Sequence, residues 1–80
     1  MLIKLSETAT EQLEALPLAL QTKAKKQLSF LARNIRHPSL HAKKYKGIDD
    51  VWQARIDRTW RFYFHIIEPH CVVVSIIEHQ

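Results

Sequence analysis

Trp52-Gln53-Ala54-Arg55-Ile56 and Trp60-Arg61-Phe62-Tyr63-Phe64-His65-Ile66, joined by Asp57-Arg58-Thr59, decide how this chain is read. Apolar and polar residues alternate through both runs with the period of two of a half-buried strand, so the pair reads as a β-hairpin. A three-residue loop sets Ile56 opposite Trp60, Arg55 opposite Arg61 and Ala54 opposite Phe62, which keeps one face apolar and the other polar. A two-residue loop breaks that match. Like charges opposed across neighbouring strands destabilise the pair, so Arg55 beside Arg61 calls for an anionic partner. The plainer alternative is two arginines pointing into water.

Downstream, Glu68-Pro69-His70 makes a tight connection and Cys71-Val72-Val73-Val74-Ser75-Ile76-Ile77 follows with almost no polar alternation. Such a run predicts a central strand at least partly covered on both faces. By strand parity His79 shares a side with Ser75 and Ile77, and Glu78 takes the other. Upstream of the hairpin, Pro38 to Val51 reads as a loop rich in Lys and His. Gly47, the single glycine, fits a turn of positive φ there. Lys43, Lys44 and Lys46 interleaved with Tyr45 suit a nucleic-acid backbone and a stacked base; the alternative is that Tyr45 anchors the loop and the lysines solubilise it.

Before that loop, Leu20, Ala24, Leu28, Leu31 and Ile35 recur at spacings of three and four and predict an amphipathic helix ended by His37-Pro38. An earlier helix is expected to run to about Leu16, with Leu13 and Leu16 inward. Ser6 and Thr8 are both acceptable caps, Thr8 and Glu11 have the capping-box spacing, and Pro17 suits the first turn of the next helix. Met1 to Leu5 fits a short strand.

The chain has 80 residues, 46% hydrophobic and 25% charged, which makes one small globular domain. At this length it buries only ~60–65% of its unfolded surface, so a bound partner matters to its stability. The lone Cys71 excludes an internal disulfide and reads as a packed thiol in a reducing compartment. With no apolar run of membrane-spanning length and no signal-peptide core at the start, a cytoplasmic location is expected and no membrane partner. The net charge of +4 hides an asymmetry. Between Thr22 and Arg61, eleven Lys or Arg stand against Asp49, Asp50 and Asp57, a balance of +8; elsewhere Lys4 stands against five glutamates. That is the footprint of a phosphate-rich or acidic protein partner. His65, His70, Cys71 and His79 lack the ligand spacing of a zinc site, so neither metal nor other cofactor is expected.

The order strand, two helices, three strands, with Leu40-x-x-Lys43-x-x-Lys46-Gly47, Trp52-x-x-Arg55-Ile56, Trp60-Arg61-Phe62-Tyr63-Phe64 and a terminal His79, resembles the RelE/ParE superfamily of bacterial type II toxin–antitoxin toxins over nearly the whole chain. The resemblance implies an α+β fold, an antiparallel-rich four-stranded sheet in the order β-α-α-β-β-β with both helices on one face and a basic groove on the other. It also implies a toxin that cuts mRNA in the ribosome without a metal and is held by a cognate antitoxin. Arg61 matches the strand arginine at the scissile phosphate, Arg55 a basic residue on the neighbouring strand, and His79 the terminal basic position. Lys44 and Lys46 fall in the basic loop. Where many active members carry an aromatic residue after the terminal position, this sequence has Gln80; Tyr63 is the candidate for stacking.

Cleavage of RNA by its own 2′-hydroxyl needs that oxygen deprotonated, the phosphorane stabilised and the departing 5′-oxygen protonated. Two arginines suit the second task because each is always charged and offers paired donors. His79 suits the acid, since imidazole changes charge near working pH. His41 or a lysine depressed by basic neighbours is the candidate base. A toxin of the same superfamily that binds DNA gyrase without cleaving RNA, and an inactive antitoxin-binding member, are the competing readings.

Overall fold

In the computed structural model the hairpin takes the register that its alternation requires. Ala54 pairs with Phe62 and Arg55 with Arg61, and the Ile56 N–H donates to the Trp60 carbonyl at 2.9 Å. Residues 1–47 and 50–79 are described; Ile48, Asp49 and Gln80, assigned above to the basic loop and the chain end, lie outside the described residues. The elements run β1 (Leu2–Leu5), α1 (Glu7–Ala15), α2 (Leu18–Arg33), a 3-10 turn (Pro38–Leu40), β2 (Lys43–Lys44), β3 (Trp52–Arg55), β4 (Trp60–Ile67) and β5 (His70–Glu78). The sheet order is β1-β5-β4-β3-β2, with β1 parallel to β5 and the other pairs antiparallel.

The expected α+β fold is present, with five strands among the described residues instead of four. The additional strand is β2, where Lys43 pairs with Gln53 and Lys44 with Trp52. Two exposed lysines carry no readable periodicity, so the pairing arises from the turn beyond them. Gly47 sits there at φ 97°, and the Tyr45 N–H donates to the Val51 carbonyl at 2.7 Å. Lysines on this edge strand also discourage pairing with another chain.

Both helices cover one face of the sheet. Ala9, Leu13 and Leu16 from the first, Ala24, Leu28 and Leu31 from the second, and Leu40 meet Ala54, Ile56, Phe62, Phe64, Cys71, Val73 and Ile76 from the strands. Burial pushes the Cys71 thiol up to about 12, only partly opposed by the positive amino group of Met1, which keeps it a neutral packing group. Two boundaries differ from expectation. Helix α1 is capped by Ser6, whose Oγ accepts from the Ala9 N–H at 3.0 Å, so Thr8 lies inside the helix and its capping box with Glu11 does not form. Helix α2 stops at Arg33, before His37-Pro38. Asn34 is extended and its side chain accepts from the Arg36 N–H at 3.0 Å, a local bond that competes with another helical turn. Ile35 still packs on the core from outside the helix.

One irregularity in β5 governs the site. Tyr63 pairs with Ser75 but Phe64 pairs with Val73, leaving Val74 as an extra residue. Strict alternation from the buried Cys71 and Val73 would turn residues 75, 77 and 79 toward the helices. The bulge reverses this, placing Ile76 in the core and turning Ser75 and Ile77 to the open face. Helix α1 holds the bulge. Ser6 Oγ donates to the Val74 carbonyl at 3.0 Å, and Gln12 Oε1 accepts from the Ile76 N–H at 2.6 Å. Ser6→Ala removes both the helix cap and this bond, and is expected to cost about 1–2 kcal/mol in urea denaturation. A loss below about 0.5 kcal/mol would show that Ser6 does neither job.

Candidate active site

Arg55 and Arg61 oppose one another on the sheet face turned away from the helices, and their surroundings differ. Arg55 is exposed, whereas Arg61 is only 8% exposed. Arg61 Nη1 donates to the Asp57 carbonyl at 2.7 Å and the Trp60 carbonyl at 3.1 Å, which ties the guanidinium to the hairpin loop. Among the described residues no buried side-chain nitrogen or oxygen lacks a hydrogen-bond partner. The remaining Arg61 donors therefore keep contact with solvent, at the cleft that this side chain lines.

The loop that holds Arg61 is itself held by Asp57. Its Oδ1 accepts from the N–H groups of Trp60 at 2.8 Å and Thr59 at 2.9 Å and from the Thr59 hydroxyl at 3.3 Å. Burial pushes the carboxyl upward, but these bonds, with a smaller contribution from the Lys23 charge, outweigh it and hold the group below its ordinary value. A carboxyl lowered in the folded state adds stability above its unfolded value near 3.8, and that stability fades as pH falls through the folded value. Asp57→Asn keeps an acceptor but cannot titrate. Its urea midpoint is expected to fall less steeply than the wild type's between pH 5 and 3, and parallel curves would remove Asp57 from the acid response.

The cleft has a volume of about 390 Å³ and is lined by His41, Ala42, Lys43, Gln53, Ala54, Arg55, Arg61 and His79. Its walls carry two arginines, one lysine and two imidazoles, and none of the lining residues is acidic. His41 stands in the left-handed region at φ 46°, immediately after the 3-10 turn. His79 is placed by the bulge and by its own N–H, which donates to the Thr59 carbonyl of the hairpin loop. Glu78 instead lines a groove with Gln12, Leu16 and Trp60. The arrangement suits a phosphodiester. Two guanidiniums from adjacent strands face the same space as groups able to donate or accept a proton.

Five of the residues singled out from sequence therefore meet in one cleft: Arg55, Arg61, His79, Lys43 and His41. The others lie elsewhere. Lys44 alternates with Lys43 onto the helix side of the sheet, its Nζ 6.0 Å from the Trp52 ring centroid. Tyr45 and Tyr63 pack edge to face, with centroids 5.5 Å apart, and Tyr63 lies on the open face next to Gln53. Lys46 is exposed in the turn before Gly47. His65 Nδ1 lies 2.9 Å from the Asp50 carbonyl. Among the described residues no three His, Cys, Asp or Glu side chains gather as a metal-ligand set. Sequence reasoning passed over Gln53, which alternation with Arg55 already places on the polar face, and Gln27, a polar residue on the apolar stripe of α2.

A two-layer α+β domain with a cationic cleft on the open face of its sheet is the class that this geometry defines. No protein-family model matches the chain, and no curated protein does. Solved structures do match. The YoeB dimer from Staphylococcus aureus is similar at TM-score 0.81 and 19% identity, over 100% of this chain and 98% of that one. The YoeB/ParE toxin from Agrobacterium tumefaciens is similar at TM-score 0.84 and 15% identity over the whole of both chains. The isolated E. coli RelE toxin is similar at TM-score 0.77 and 17% identity, over 99% and 84%. The chain has the RelE/ParE toxin fold.

Proposed function

We propose that this protein is the toxin of a type II toxin–antitoxin pair and that it cleaves mRNA on the ribosome without a metal ion. The observation that carries this reading is the cleft itself, in which Arg55, Arg61, Lys43, His41 and His79 converge with no carboxylate among the lining residues. Arg61 and Arg55 hold the scissile phosphate and offset the charge that builds on the phosphorane. His41 takes the proton from the 2′-hydroxyl as that oxygen attacks phosphorus. His79 gives a proton to the 5′-oxygen as its bond to phosphorus breaks, leaving a 2′,3′-cyclic phosphate and a free 5′-hydroxyl. Lys43 in the cleft, Tyr45 packed on Tyr63, and Lys46 in the adjacent turn serve to grip and stack flanking nucleotides, whereas Lys44, over Trp52 on the helix side, takes no part in this path.

The partners that follow are the ribosome with its mRNA and a cognate antitoxin. Similar structures include the intact E. coli RelBE toxin–antitoxin complex and a YoeB–YefM complex from Staphylococcus aureus. An acidic or amphipathic segment that orders on binding suits the basic part of this chain and would stabilise it by mass action.

Mapping of mRNA 5′ ends by primer extension, in bacteria induced for the wild type and for His79→Ala, tests the reading. New ends confined to translated regions are expected with the wild type, at a rate about 10²–10⁴-fold lower with His79→Ala. Growth arrest with intact mRNA would point instead to a gyrase-type inhibitor, and neither effect would leave an antitoxin-binding protein without toxicity.

A further inference from the structure

The two walls of the cleft come from different parts of the chain. One is the segment from His41 to Lys43, which follows the 3-10 turn, and the other is β3 with Arg55. Beyond the pairing of Lys43 with Gln53, one buried side chain joins them. Gln27 is 4% exposed on the inward face of α2, and its Nε2 donates to the backbone carbonyls of Arg55 at 2.9 Å and Ser39 at 3.1 Å. Its Oε1 accepts from the Ser39 hydroxyl at 3.1 Å. Two carbonyl acceptors fix which end of the amide carries nitrogen, and both of its N–H groups are used. The turn is also held to α2 directly. The Ser39 N–H donates to His37 Nδ1 at 3.2 Å, and the His37 ring stacks on Phe30 with centroids 3.8 Å apart.

A glutamine on the apolar stripe of a helix is costly unless its amide is fully paired, and here its partners are Arg55 in one wall and Ser39, two residues before His41 in the other. We propose that Gln27 is a positioning residue: it fixes the spacing between Arg55 and the His41 segment without touching the bound phosphate. The inference rests on the reading of the cleft as an RNA-phosphate site. Removing the amide takes a donor from the Arg55 carbonyl and the Ser39 carbonyl at once and leaves the Ser39 hydroxyl only its 2.8 Å contact with His37 Nδ1, so the two walls stay linked by the short β2–β3 pairing without the brace from α2. Phosphoryl chemistry is sensitive to that change, because about 1 Å of misplacement costs about 10²-fold in rate.

The test compares wild type, Gln27→Met, Ser39→Ala and Ser39→Thr. Methionine keeps the length and apolar stem of Gln27 without its amide, and threonine keeps the Ser39 hydroxyl. At temperatures where each variant is folded by circular dichroism, kcat for cleavage of mRNA on programmed ribosomes is expected to fall about 10–100-fold in Gln27→Met, with KM changed less than about threefold. Ser39→Ala should fall between, and Ser39→Thr should regain most of the rate. A merely structural glutamine would lower the melting temperature and leave kcat of the folded protein within twofold, which would overturn the proposal. A second readout does not need cleavage: inorganic phosphate is titrated into wild type and Gln27→Met while the amide NMR signals of His41 and Arg55 are followed. Weaker binding by threefold or more supports the positioning role even if the wild type cuts no RNA, and equal affinity refutes it. If Gln27→Met does not fold, the exposed Ser39→Ala carries both measurements.

Discussion

Arg61→Ala is expected to lower mRNA cleavage about 10²–10³-fold, the usual cost of removing one preorganised donor from a developing negative charge. The size of the effect follows from how the side chain is held. Arg61 is 8% exposed and anchored through one nitrogen to two carbonyls of its own hairpin, so its guanidinium is restricted to few orientations in the free protein. Arg55 opposite it is exposed and starts from a broader set of conformers, so Arg55→Ala should cost less. Arg61→Lys keeps the charge but loses the planar fork, and should recover only part of the rate. Because the anchoring bonds are lost too, Arg61→Ala should also lose about 1.5–3 kcal/mol of stability, read in the same preparation by urea denaturation. Arg58→Ala is the control, since Arg58 is exposed in the hairpin loop and does not line the cleft. Primer extension in induced cells decides the matter. Cleavage by Arg61→Ala within threefold of the wild type would remove Arg61 from the chemistry.

Phe62→Ala is expected to cost about 3–5 kcal/mol, the loss of a buried aromatic ring together with the cavity it leaves. Phe62 is fully buried on β4, between β3 and β5, and its ring lies 6.0 Å from that of Phe64. For 80 residues the whole stability is about 4–12 kcal/mol, so this one change takes a large share of it. The same strand carries Arg61 on its other face, and loss of packing beneath β4 would loosen the cleft as well. Guanidinium denaturation should show either a midpoint shift of that size or a chain already unfolded without denaturant, whereas Phe62→Leu should lose less than about 1.5 kcal/mol. A loss below about 1 kcal/mol in Phe62→Ala would mean that the helices and sheet do not share the single core described above.

Local periodicity determined much of this protein. The alternation of Trp52 to Ile66 and the three-residue loop set the β3–β4 register, because side chains on a strand have a period of two and the burial of Ala54, Ile56, Phe62 and Phe64 depends on one choice of register. The same alternation opposed Arg55 and Arg61, and the spacing from Leu20 to Leu31 set the buried stripe of α2. What the sequence left open involves partners distant along the chain. The pairing of β2 depends on where the far side of its turn lands, the end of α2 on an Asn34 side-chain bond, and the parallel pairing of β1 with β5 on two helices closing a long connection.

His79 shows the division most clearly. Parity placed it with Ser75 and Ile77, yet parity counted from Cys71 would have put all three against the helices, and only the extra residue at Val74 turns that group outward. That bulge is held by Ser6 and Gln12, more than 60 residues away in sequence, through bonds of 3.0 and 2.6 Å. Gln27 likewise joins Ser39 and Arg55 across 12 and 28 positions. The sequence by itself determined which residues lie on which face of α2 and of the β3–β4 hairpin, because that is a matter of short-range periodicity. Only the tertiary structure decided that Arg55, Arg61, His41, Lys43 and His79 enclose one space, because a cleft is made by hydrogen bonds and packing between segments that are neighbours only after folding.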